Sequence, residues 1–247
     1  MTRRLVPVVS VVGSASGLAP GSVHAIERLG HLLMEAGCRL VTGGLGGVME
    51  AVSRGARQSP AWSEGRVVGI LPSYDASLAN AWSDIVVPSG LGVARNVLVV
   101  SCADVVVAVS GGAGTLSEVA LAWQLRKPIV CLATHGGWAD RLGGEALDGR
   151  RLDTIHAVHS PDDVVRWVAE ALARAALDSS AGDVALPSGA KRSTLRDGSD
   201  LVDYGHCRTG AAEAHPVPPE ERTPLGSPWN ESEERPQGHT PTKGVPA

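Results

Sequence analysis

The sequence contains no phenylalanine among its 247 residues, and only two tyrosines and six tryptophans. A phenylalanine-rich interior is excluded, so Val, Leu, Ile and Ala must fill the core with a few Trp. Cysteine is scarce as well. Cys38, Cys102, Cys131 and Cys207 lie far apart and form no C-x-x-C pair, which excludes a ribbon-type zinc site and a vicinal redox motif. Three of them sit in or beside apolar runs and read as buried small apolar side chains. No apolar run is long enough to span a bilayer. Thr2-Arg-Arg-Leu5 leads into a short strand-like run rather than a signal peptide. These absences read as a reduced, cytoplasmic protein without a membrane role.

Excess positive charge is also missing. Residues 1–177 hold 15 Lys/Arg and 15 Asp/Glu, and residues 178–247 hold 7 and 11, so the net charge of −4 belongs to the C-terminal part. A neutral N-terminal part lacks the clustered basic residues of a nucleic-acid surface. The C-terminal part is rich in Pro, Gly, Ser and charge and has no apolar period, which reads as a disordered tail over 178–247.

Residues 1–177 carry an alternating pattern. Val6–Val12, Arg39–Thr42, Arg66–Leu71, Asp84–Val87, Asp104–Val109, Pro128–Ala133 and Ile155–His159 read as strands. Helices are expected from Ser22 as N-cap to Ala36, from Val48 to Gln58, from Val93 to Cys102 and from Leu116 to Leu125. A last helix runs to about Leu177, with Ser160 as N-cap and Pro161 in its first turn. Strands alternating with helices through six or seven cycles predict an α/β Rossmann-like, doubly wound parallel sheet with helices on both faces. In such sheets ligands bind beyond the carboxyl ends of the strands.

The Gly-rich turns all fall at that edge. Gly13 and Ser14 follow the first strand and suit a phosphate or ribose. Gly43, Gly44 and Gly47 follow the second, but no acidic residue ends the next strand at Leu71-Pro72, so a dinucleotide ribose has no partner. Ser110-Gly-Gly-Ala-Gly-Thr-Leu-Ser-Glu118 follows the fifth strand and carries the strongest signal. Gly111, Gly112, Gly114 and Thr115 offer backbone N–H groups and a hydroxyl at a helix N-terminus, which is an anion site by geometry. Gly112 and Gly114 are expected to need glycine's backbone freedom. The loop lacks the lysine of a P-loop, which argues against magnesium-dependent triphosphate hydrolysis. Glu118 is expected in the first turn of that helix, and Arg95 opens the preceding one, so both should face one cleft. His156-Ala-Val-His159 has a spacing that faces opposite sides of a strand and cannot chelate. Neither a metal nor a resident cofactor is expected.

Taken together, Gly43-Gly-Leu-Gly-Gly-Val-Met-Glu50, Arg95 and Gly111 to Glu118 resemble the Lonely Guy (LOG) superfamily over about residues 5–175. Gly69-Ile-Leu-Pro72, Ala79-Asn80, Ala94-Arg-Asn96 and Ser101 to Asp104 are similar to the branch that includes molybdenum-cofactor carrier proteins. The resemblance implies a phosphorylated small-molecule ligand, either a nucleoside monophosphate or a pterin-type cofactor, and a homodimer or larger homo-oligomer. In the hydrolases it implies cleavage of a nucleoside 5′-monophosphate to base and ribose 5-phosphate, with Arg95 and Glu118 as the catalytic pair. There the Arg would keep the carboxylate ionised and oriented. The alternative is a non-catalytic carrier for a phosphorylated ligand such as molybdenum cofactor. The chain departs from the hydrolase pattern at Ser110, Ala113 and Ser117, and in the Ala-Arg-Asn context of Arg95.

Overall fold

Valine-rich runs make strands because branched side chains fit a pleated surface covered on both faces. Seven such strands appear in a computed structural model that describes residues 6–18 and 20–181 of the chain. They are β1 (Val8–Gly13), β2 (Arg39–Thr42), β3 (Val67–Leu71), β4 (Ile85–Pro88), β5 (Val105–Val109), β6 (Ile129–Leu132) and β7 (His156–Val158). The sheet order is β4-β3-β2-β1-β5-β6-β7, with every pairing parallel. The described residues belong to one unit, Met1–Leu186; a second unit, Pro187–Ala247, lies outside them, as does the tail reading from residue 182 onward.

The helices are α1 (Pro20–Glu35), α2 (Val48–Arg57), α3 (Arg95–Ser101), α4 (Ala113–Gln124), α5 (Gly137–Leu142) and α6 (Pro161–Ala181). Helices α1, α2 and α6 cover one face of the sheet, and α3, α4 and α5 cover the other. The central strand β5 shows why its sequence is apolar throughout. Val105, Val107 and Val109 enter the first core, while Val106 and Ala108 enter the second. Each buried valine contributes roughly 1.5–3 kcal/mol relative to exposure.

Several boundaries differ from the sequence reading. Helix α1 begins at Pro20, so Ser22 lies inside its first turn and is not the N-cap; the preset φ of proline suits that first position. The expected helix from Val93 splits into a 3-10 turn, Gly92–Ala94, and the shorter α3. Helix α4 begins three residues earlier than Leu116, at Ala113. Helix α5 has no counterpart in the reading, because its six residues are too few to show a period. Cys38 and Cys131 are buried as expected, but Cys102, at the C-terminal end of α3, is exposed. At the start of α6, Ser160 Oγ accepts from the Asp163 N–H at 3.2 Å and donates to its carboxylate at 2.7 Å, as a cap should.

The strand order reverses at β1, which pairs with β2 on one side and β5 on the other. That reversal splays the loops after β1 and β5 apart and leaves a crevice between them.

Candidate active site

The crevice is a cleft of about 300 Å³. Gly13 and Ser14 line it from the β1 loop, and Gly43 from the β2 loop. Gly112, Gly114, Thr115 and Glu118 line it from the start of α4, and Arg95 from α3. The remaining expected residues are packed against neighbours. Gly44 packs against Gly69 and Leu71, Gly47 lies against the Ser14 carbonyl, and Gly111 lies against the Thr115 side chain. None of those three lines the cleft.

The β5–α4 loop is aimed by its neighbour. Trp138 N–H donates to the Gly111 carbonyl at 2.9 Å, and Ala139 N–H donates to the Ser110 carbonyl at 3.0 Å. In a trans peptide the following N–H points opposite to the carbonyl. The N–H groups of Gly111 and Gly112 therefore point away from α5. The first intrahelical bond of α4 is Leu116 N–H to Gly112 O, so the N–H groups of Ala113, Gly114 and Thr115 are free of helical acceptors. Backbone donors thus converge where an anion would sit. Ser110 holds φ at 55° and Gly111 at 99°. Gly112 and Gly114 do not need glycine for the turn: neither has positive φ, and a Cβ at either would meet open space. Their use is to leave the cleft clear.

Arg95 is 9% exposed, and its guanidinium is fixed by the backbone. One nitrogen donates to the Gly43 and Ile70 carbonyls at 2.5 Å each, and Nε donates to Asn96 Oδ1 at 3.0 Å. A Cβ at position 43 would collide with that guanidinium, so a larger residue there would have to displace Arg95 from its carbonyls. Burial lowers the pKa of Arg95, against the pull of Glu118.

Glu118 does not pair with Arg95 as the resemblance implies. Among the described residues it makes no ion pair or hydrogen bond within the chain, although only 6% of it is exposed. It lies in the second turn of α4 rather than the first, because the helix starts early. Burial raises its pKa from 4.5 to about 7, and the Arg95 charge only partly opposes this. Desolvation outweighs attraction because the guanidinium is held on carbonyls instead. The arrangement holds a carboxyl group whose pKa lies near neutrality beside a turn rich in backbone donors.

Sequence reasoning missed Asn96 as a site residue. Its Nδ2 donates to Ser117 Oγ at 2.8 Å, and Ser117 Oγ donates to the Gly114 carbonyl at 2.7 Å. Asn96 and Ser117 are both departures from the hydrolase pattern, and here they are partners. Their joint change in the sequence was the signal. Leu45 and Met49 form an apolar wall that no local motif announced. Ser14 Oγ donates to Ser16 O at 2.7 Å, so its hydroxyl shapes its own loop. His156 stacks on Trp167 at 5.3 Å. Among the described residues no three His, Cys, Asp or Glu side chains converge as a metal site, and no helix is long and apolar enough to cross a membrane.

A doubly wound sheet, a phosphate-type loop at its switch point and a buried acid define a Rossmann-like small-molecule site. The chain belongs to the SLOG cluster4 family, whose model matches residues 6–165. An uncharacterised protein of Archaeoglobus fulgidus is 43% identical over 105 residues, which span 42% of this chain and 66% of that protein. The molybdenum cofactor binding protein of Rippkaea orientalis is 32% identical, with a TM-score of 0.60, and the match covers 68% of this chain and 99% of that one. The molybdenum cofactor carrier protein of Chlamydomonas reinhardtii is 30% identical, with a TM-score of 0.57 and the same coverage.

Proposed function

We propose that this chain binds a phosphorylated small molecule, with the phosphate on Gly111 to Thr115 and the ligand body over Gly43, Arg95 and Glu118. The observation that carries this reading is the turn before α4: α5 takes the Ser110 and Gly111 carbonyls, which turns the Gly111 and Gly112 N–H groups away from α5 beside the open first turn of α4. The structural likeness to molybdenum cofactor binding and carrier proteins supports a phosphorylated pterin-type ligand, carried rather than transformed. In that reading Glu118 hydrogen-bonds the polar edge of the ligand, and Arg95 lends positive charge to the cleft. The apolar wall of Leu45 and Met49 would pack on the ligand body.

A second reading is hydrolysis of the N-glycosidic bond of a nucleoside 5′-monophosphate. It is favoured by the buried Glu118, which makes no hydrogen bond or ion pair among the described residues and whose pKa burial raises to about 7. A protonated Glu118 would donate to the departing base, and its carboxylate would stabilise positive charge on the ribose. The water oxygen bonds the anomeric carbon as the C–N bond breaks, the base leaves with the proton from Glu118, and the water returns a proton to the Glu118 carboxylate.

Incubation with a panel of nucleoside 5′-monophosphates, with released base scored by chromatography, separates the two. The carrier reading expects no base release, and tight calorimetric binding of a phosphorylated pterin that inorganic phosphate weakens. Base release that Glu118→Gln lowers by about two to four orders of magnitude would replace it with the hydrolase reading. A wild-type chain that binds a monophosphate and its nucleoside equally well would remove the phosphate site itself. The exposed apolar side chains of Val93 and Val97 fit the homo-oligomer that the family resemblance implies. Light scattering in solution tests that part.

A further inference from the structure

A second cavity, of about 400 Å³, lies at the opposite edge of the sheet. It is bounded by Pro128 and Ile129, which lead into and open β6, and by Arg151, Asp153 and Thr154, which precede β7. Trp167 and Arg174 of α6 close it, and Arg126 joins them from the end of α4. Three guanidinium groups and one carboxylate therefore face one space.

The three arginines are not equally free. Arg151 is fixed: it pairs with Asp153, donates to the Lys127 carbonyl at 2.7 Å and stacks 4.5 Å from the Trp123 ring. Arg174 is 59% exposed and reaches Glu170 at only 3.7 Å. Arg126 is exposed, and its side chain makes no ion pair or hydrogen bond among the described residues. Its backbone is unusual as well. Arg126 follows the end of α4 with φ at 54°. Its N–H reaches the Trp123 carbonyl, and the Lys127 N–H reaches the Ala122 carbonyl. That is the left-handed helix stop at which glycine is the favoured residue. An arginine there costs about 1 kcal/mol of backbone strain. The helix stop itself needs no side chain, so the strain is unexplained by folding.

We propose that this cavity is a second ligand site, separate from the cleft at the other edge, for a small multivalent oxyanion. Arg151, held on both Asp153 oxygens and on the Lys127 carbonyl, forms the fixed wall of the site. Arg126 and Arg174 are the mobile arms that close on the anion. Guanidinium groups suit phosphate and carboxylate because their N–H groups pair with two oxygens at once. Pro128, Ile129 and Ala171 give the cavity an apolar floor, and Trp167 is held by the His156 ring. The volume suits a small organic anion.

Calorimetric titration of the full chain with pyrophosphate and with citrate tests this, using wild type, Arg126→Gly, Arg174→Ala and Thr115→Val. Arg126→Gly relieves the strained helix stop, so its melting temperature should equal or exceed that of wild type. Its affinity for the bound probe should nonetheless fall about tenfold or more, with a smaller fall in Arg174→Ala. Thr115→Val, at the other edge, should remove only the binding event that belongs to the cleft and keep the event that Arg126→Gly weakens. Selectivity for pyrophosphate identifies a phosphate ligand, and selectivity for citrate a polycarboxylate; either supports the site. Absence of binding by both probes would overturn it. So would binding that Thr115→Val removes and that Arg126→Gly and Arg174→Ala leave intact.

Discussion

The two edges of the sheet handle charge in opposite ways. At the carboxyl edge, Arg95 and Glu118 are both buried, and neither is the partner of the other. The donors offered there are backbone N–H groups, which carry no net charge and do not titrate. At the amino edge, Arg126, Arg151 and Arg174 are side-chain charges: Arg126 is exposed and makes no ion pair among the described residues, Arg151 is paired and stacked, and Arg174 is exposed beside Glu170 and Trp167. The first arrangement costs the fold stability, because desolvated groups are left without mutual pairing. The second costs little, because solvent screens the exposed charges. A buried acid that makes no hydrogen bond or ion pair among the described residues, and feels Arg95 only through its charge, is a cost to the fold rather than a support.

The largest expected effect comes from removing that acid. Glu118 in the folded chain keeps its proton up to about pH 7, whereas the ordinary value is 4.5. Below the lower value both states are protonated and the group is neutral to folding. As pH rises between the two values, only the unfolded chain ionises, so stability falls; above the higher value the loss is constant. The full loss is on the order of 3 kcal/mol. Glu118→Gln should therefore be more stable than wild type by roughly that amount near pH 8 and no more stable near pH 4. Urea melts at the two pH values measure it. An equal difference at both would show that ionisation of Glu118 is not what strains the carboxyl edge.

The next effect tests whether the backbone cradle is rigid. Gly137 has φ of 74°, and a Cβ there would lie 2.5 Å from the Gly111 carbonyl oxygen. Gly137→Ala must push the phosphate loop and should cost about 1–3 kcal/mol. Gly112→Ala, in open space without positive φ, should change stability by less than about 0.5 kcal/mol. Both should weaken phosphate binding, one by moving the donors and the other by filling the cleft. If Gly137→Ala melted like wild type and bound phosphate equally well, α5 would not aim the loop.

Much of this arrangement was legible in the sequence. Continuous valine runs announced strands covered on both faces, and the position of each Gly-rich turn after a strand announced the shared edge. Arg95, Glu118, Gly43, Gly112, Gly114 and Thr115 do meet in one cleft. What the sequence hid was how contacts divide the work. Gly44 and Gly47 read as ligand-facing because their type matched, yet each packs against a neighbour behind its loop. The expected pairing of Arg95 with Glu118 failed because the Gly43 and Ile70 carbonyls, distant in sequence, take the guanidinium first. Helix α5 was invisible because six residues carry no period. The three arginines at the amino edge share no motif, and only the fold brings them together.

The smallest expected effect concerns the bridge between α3 and α4. Asn96 links Arg95 to Ser117, and Ser117 links to the Gly114 carbonyl. The bridge therefore ties the fixed cation to the phosphate loop through two neutral side chains. A neutral hydrogen bond of this kind contributes about 1 kcal/mol. Asn96→Ala and Ser117→Ala should each cost about that much, and the double variant less than their sum. The same cycle should be scored on phosphate affinity. Coupling in both measurements would show that the bridge positions Gly114 as well as stabilising the fold. Additive losses within about 0.3 kcal/mol would show that the two residues act independently. The carboxyl edge would then be organised by backbone contacts alone, without help from the pair of residues that sets it apart from the hydrolase pattern.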